Sequence, residues 1–174
     1  MQLEKKIEGK NKPINLRDLE DLISKAKKCV CLIYYEGTGS GFFCKIPLNF
    51  SSDEFMNALL TNNHVLTSKF FDNEKVLKIN YQSQDREINM LLPRFKYTNE
   101  EMDFSIIQIL PYDDIKDFYD INENIIDKYG DCSFEGKEIC IFQHPLGGEL
   151  SYAPGEILKI SDFKIEHSTS TEEG

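Results

Sequence analysis

Two stretches carry residues whose types could do chemistry together. Leu59-Leu60-Thr61-Asn62-Asn63-His64-Val65-Leu66-Thr67 runs from an apolar strand end through three small polar residues to one histidine, then turns apolar again. Met102-Asp103-Phe104-Ser105-Ile106-Ile107-Gln108-Ile109 sets an aspartate at the mouth of a β-branched run. Strand ends converge at the rim of a closed barrel, so the two side chains can meet there. An imidazole held by a buried carboxylate is the general-base half of a nucleophilic triad.

Competing chemistries are weaker. Gly37, Gly39 and Gly41 open a strand, whereas the dinucleotide fingerprint G-x-G-x-x-G opens a helix. They read as turn glycines, or as sites where backbone approaches backbone closely. The acidic stretch Pro111 to Asn124 lacks the glycine and glutamate positions of a calcium loop. Cys29, Cys31, Cys44, Cys132 and Cys140 form no CxxC, and no Cys/His cluster has zinc spacing, so no metal and no cofactor are expected. A net charge of −10 gives nucleic acid no electrostatic footing. No apolar run approaches the roughly twenty residues that span a bilayer, and residues 1–8 lack the apolar core of a signal peptide. Unbridged core thiols, with Cys29, Cys31, Cys44 and Cys140 buried, then point to a cytoplasmic protein.

The positioning elements follow from periodicity. Leu16, Leu19, Leu22, Ile23 and Ala26 recur at helical spacing, which predicts an amphipathic helix over 14–28 with Asn15 as N-cap. Strands are expected over 29–35, 42–46, 55–61, 75–82, 86–92 and 104–110, with a short helical turn after His64 and a polar turn at Ser83-Gln84-Asp85. Residues 97–102 read as polar loop, and 111–124 as a solvated linker. Three further strands are expected over 137–143, 150–160 and 162–168. The implied division is an arm and helix over 1–28, a small barrel or sandwich over 29–111, a linker over 112–128 and an incomplete second barrel over 129–174. Unpaired strand edges in the incomplete half predict self-association.

Taken in order, Gly39-Ser40-Gly41-Phe42, Leu60-Thr61-Asn62-Asn63-His64-Val65 and Asp103-Phe104-Ser105-Ile106-Ile107 resemble the successive motifs of trypsin-like (chymotrypsin-fold) serine proteases, in their disulfide-free style. Gln143-His144-Pro145-Leu146-Gly147 is similar to the Gly-x-Pro-x-Gly segment of their second barrel. The resemblance spans residues 29–174. It implies an all-β double barrel, the first barrel complete and the second partial, with a short N-terminal helix. It further implies peptide-bond hydrolysis in the cleft between barrels, with His64 as base and Asp103 as its orienter. Gly174 matches the glycine whose N–H enters the oxyanion hole, and a gap-free carry-over places Ser170 at the base of the primary specificity pocket. The nucleophile serine would follow Gly174, so residues 1–174 are expected to be inactive alone. Val65 stands where secreted relatives carry a bridged cysteine, and no Ile-Val-Gly-Gly-like start is present. His144 and His167 are expected to be structural. The alternatives to an endopeptidase are an inactive protease-like module that binds partners through its cleft, and a fragment without independent function.

Overall fold

A computed structural model describes residues 15–48, 54–121, 134–161 and 164–170. Helix α1 (Leu16–Cys29) begins where Asn15 Oδ1 accepts the Arg17 N–H at 3.0 Å, an N-cap that leaves Asp18 in the first turn and Lys27 and Lys28 in the last. It buries Ala26 and Cys29, and Lys25 Nζ donates to Phe118 O at 2.8 Å. Cys29, expected to open a strand, is the last helical residue. No described helix is long and apolar enough to cross a membrane.

Among the described residues, eight strands form the first sheet: β1 (Val30–Tyr34), β2 (Thr38–Pro47), β3 (Phe55–Thr61), β4 (Val76–Tyr81), β5 (Gln84–Asn89), β6 (Lys96–Asn99), β7 (Phe104–Gln108) and β8 (Tyr119–Asp120). The order is β5-β4-β1-β2-β3-β7-β6, with β8 lying parallel on β2. β1 is buried along four of its five residues because both of its edges are paired and both faces are covered. Its core joins Ile33, Phe43, Leu59, Leu77, Ile79, Tyr81 and Ile107. Ile115 and Phe118, inside the stretch read as a solvated linker, belong to this core too. α2 (Ser68–Asn73) follows the histidine turn and inserts Phe70.

Three local features differ from the sequence pattern. Gln82 and Ser83 both take positive φ, 52° and 60°, so the β4–β5 turn is a two-residue mirror-image turn and β5 starts at Gln84. β6 forms where polar loop was expected, because β7 supplies its ladder from Lys96↔Ile107 to Asn99↔Phe104. Gly39 and Gly41 lie within β2 and are not turn residues. A Cβ on Gly39 would come within 2.5 Å of Val65 Cγ2, and one on Gly41 within 2.7 Å of Ile33 Cδ1. Gly39→Ala is therefore expected to cost about 1–3 kcal/mol by overpacking, measured by urea denaturation, with Val65 and the adjacent His64 displaced in the NMR spectrum.

The strand ladder ends at β5 and β6, and a buried ion pair spans the seam. Arg94, with a fully buried side chain, donates from Nη1 and Nη2 to Asp113 at 2.8 and 3.1 Å. The same guanidinium reaches Asn89 O at the end of β5 and Gln108 O at the end of β7. Asp113 also accepts the Leu110 N–H at 2.7 Å. Side chains thus bridge the end of β5 to the end of β7.

The second sheet, β9 (Glu138–Gln143), β10 (Ser151–Ser161) and β11 (Lys164–His167), has the order β11-β10-β9. A 3₁₀ turn, Pro145–Gly147, joins β9 to β10. Among its described residues Ile157 and Thr169 are buried, and Gly155 lies against Thr169. Cys29, Cys31 and Cys44 are buried free thiols; Cys140 is half-buried, where full burial was expected, on a strand whose one neighbour among the described residues is β10. Cys132 lies outside the described residues.

Candidate active site

His64 stands on a tight turn that leaves β3. The Val65 and Leu66 N–H groups both donate to Asn62 O at 3.2 Å, and the two side chains that follow the histidine are buried. The turn is therefore anchored on its far side while the imidazole stays outward. Asp103 precedes β7 at φ 50°, a left-handed conformation that aspartate tolerates better than most residues. This backbone turn brings its carboxylate back toward the end of β3.

The two side chains meet. His64 Nδ1 lies 2.8 Å from Asp103 Oδ2 and 3.1 Å from Oδ1, and the His64 backbone N–H donates to Oδ1 at 3.0 Å. Asn62 Nδ2 donates to Oδ2 at 3.1 Å and to the Asp103 carbonyl at 3.2 Å. A carboxylate only accepts, so Nδ1 carries the proton in the neutral ring and Nε2 keeps its lone pair. That is the tautomer a general base needs.

The sequence pattern implies a buried carboxylate, whereas Asp103 keeps 44% of its side chain exposed and His64 66%. Hydrogen bonds, not burial, hold it. Partial burial would raise the Asp103 pKa, but the backbone and ring hydrogen bonds from His64, and then Asn62, outweigh it and lower the value below 3.8. A depressed folded pKa stabilises the contact above the unfolded value and loses that contribution as pH falls through the lower folded one. The Asp103 carboxyl shift is thus expected to titrate below pH 3.8 in the folded protein, measured by carbon-detected NMR.

A polar chain beneath the site went unread in the sequence. Asn63 Nδ2 donates to Thr98 Oγ1 at 2.6 Å, Thr98 and Ser105 hydroxyls share a 2.6 Å bond, and Ser105 Oγ donates to Leu66 O at 2.7 Å. Each hydroxyl can pass its own hydrogen to the next acceptor, so all four groups are satisfied in one direction. The chain ties the His64 turn to the β6–β7 hairpin that carries Asp103. Ser105, a polar residue at an inward strand position, is the one signal that could have found it.

A cavity of about 740 Å³ opens between the sheets, with Ser40, Thr61, His64 and Asp103 on one wall and Phe142 and Gln143 on the other. The Ser170 side is exposed, and its carbonyl accepts from Gln143 Nε2 at 3.5 Å. Gly174 lies outside the described residues. His144 Nδ1 pairs with Gly148 O at 2.9 Å; His167 pairs through Nδ1 with the Thr169 hydroxyl while its ring borders the cavity. No described serine, threonine or cysteine bonds to His64, whose ring contact is Asp103. Among the described residues no three His, Cys, Asp or Glu side chains converge as a metal site.

Solved structures share this fold. The Rv3671c protease in its inactive form is 13% identical, with a TM-score of 0.59 over 94% of this chain and 76% of that one. Deg5 is 14% identical, with a TM-score of 0.61 over 91% and 76%. The serine endoprotease from Yersinia pestis is 16% identical, with a TM-score of 0.55 over 86% of this chain and 46% of that one. The chain has the trypsin-like serine protease fold, all-β in architecture apart from its short helices. No protein-family description and no curated protein matches it.

Proposed function

We propose that the protein is a serine-type endopeptidase that hydrolyses peptide bonds in the cleft between its sheets. His64 is the general base and Asp103 holds its tautomer and stabilises the imidazolium formed during acyl transfer. The observation that carries this reading is the 2.8 Å contact between Nδ1 and the Asp103 carboxylate at the rim of a cavity roomy enough for a peptide side chain. No described residue supplies the nucleophile, and the resemblance assigns Ser170 to the base of the primary specificity pocket. An uncharged base there disfavours lysine or arginine before the cleaved bond. Histidine before aspartate along the chain is the order of chymotrypsin-like enzymes.

The test uses the full-length gene product. It is expected to react with a fluorophosphonate probe and to cleave members of a broad peptide library, and His64→Ala is expected to abolish both. A full-length product that stays unlabelled and inactive would overturn the peptidase reading in favour of a module that binds partners through the same cleft.

A further inference from the structure

We infer that Ser40 is a positioning residue whose hydroxyl latches the two sheets at the spacing the cleft requires, a role that rests on the peptidase reading above. The His144 backbone N–H, at the end of β9, donates to Ser40 Oγ at 2.8 Å, and this hydrogen bond crosses from one sheet to the other. Ser40 O, in turn, accepts the Thr61 hydroxyl at 2.8 Å. Thr61 is the last residue of β3 and adjoins Asn62, which holds Asp103. One residue therefore joins the second sheet to the strand end from which the His64–Asp103 pair is built.

The local sequence suits that task. Gly39 and Gly41 on either side let β2 press against Val65, Ile33 and Leu59, while the intervening Ser40 borders the cavity. The serine hydroxyl lies one rotatable bond from the backbone, so the link between β2 and the His144 peptide is short and stiff. The neighbouring contact is equally close. Gly147, at φ 72°, leaves no room for a Cβ, which would lie 2.5 Å from Thr38 Oγ1. The 3₁₀ turn after β9 is thus seated on Thr38 to Ser40. An enzyme with its base on one sheet and its oxyanion donors on the other loses rate when that spacing drifts by a fraction of an ångström.

The experiment compares Ser40→Ala and Ser40→Thr with the wild type in the full-length gene product. Amide exchange at His144 is expected to speed up at least tenfold in Ser40→Ala and to stay near wild type in Ser40→Thr, with the β9–β10 ladder amides unchanged in both. Peptide turnover is expected to follow: kcat lower by about tenfold in Ser40→Ala with KM within threefold, and restored in Ser40→Thr. Unchanged His144 exchange in Ser40→Ala would overturn the latch, whatever the activity. Faster exchange with undiminished kcat would overturn its positioning role. A wild-type product without turnover would overturn the peptidase reading and with it the positioning role, while the exchange result would still decide whether the latch exists.

Discussion

Asp103→Asn is expected to lower turnover of the full-length gene product by roughly 10⁴-fold with the fold intact, the scale such a change has in a Ser-His-Asp enzyme. The cause is the direction of one hydrogen bond. The His64 backbone N–H is fixed by the turn and points at the Oδ1 position from 3.0 Å, so an asparagine would turn its carbonyl oxygen there. Its NH₂ then occupies the Oδ2 position, 2.8 Å from Nδ1. Facing a donor, Nδ1 must accept, the proton moves to Nε2, and the lone pair that would take the serine proton is gone. Asn62 Nδ2 loses its Oδ2 acceptor in this variant and keeps the residue's backbone carbonyl, 3.2 Å away. Steady-state kinetics measures the loss, and nitrogen shifts of the His64 ring report the tautomer even where no turnover exists. A variant that loses less than tenfold with an unchanged tautomer would show that Asp103 does not orient the base.

Arg94→Met is expected to be the most damaging single change to the fold, at about 3–5 kcal/mol. It leaves the Asp113 carboxylate, 4% exposed, without its cation. It also takes the guanidinium donor from the carbonyls of Asn89, at the end of β5, and Gln108, at the end of β7. For a chain of this size the loss corresponds to a fall in Tm on the order of 10 °C. Arg94→Met combined with Asp113→Leu should recover part of the loss, since an apolar pair replaces a buried ion pair at little cost. Recovery stays incomplete because the Leu110 N–H loses its acceptor. Urea denaturation of the two variants gives both numbers, and a single variant within 1 kcal/mol of wild type would mean the seam is held elsewhere.

The parts of the fold that were legible in the sequence are those whose burial is set by their own residues. β3 and the helix cap at Asn15 match the expected residues, because an apolar strand between two partners and a side-chain cap are written locally. β6 was illegible for the opposite reason. Lys96 and Tyr97 are exposed and Thr98 and Asn99 only half-buried, so its strand character comes from β7 and not from alternation. The turn at Gln82 and Ser83 lacks the Asn-Gly signal, and the flanking register imposes its left-handed pair. At the site, residue order pointed to His64 and Asp103, and the structure brings them together. The hydrogen bonds that hold Asp103 in place of burial were not readable, because Asn62 is forty-one positions away in sequence.

The core thiols have a consequence for handling and for oxidation. Burial pushes the Cys29 thiol up to about 11 and Cys44 to about 12, and Cys31 is raised as well. A thiol near 11 is ionised to about one part in 10⁴ at pH 7, against about one in thirty for a free cysteine. The thiolate is the form that peroxides, disulfides and alkylating reagents attack. With so little thiolate and no solvent contact, these sulfurs are shielded from such reagents in the folded protein. Among the described cysteines, the half-buried Cys140 on β9, whose thiol donates to the Tyr152 hydroxyl, is where oxidation would begin.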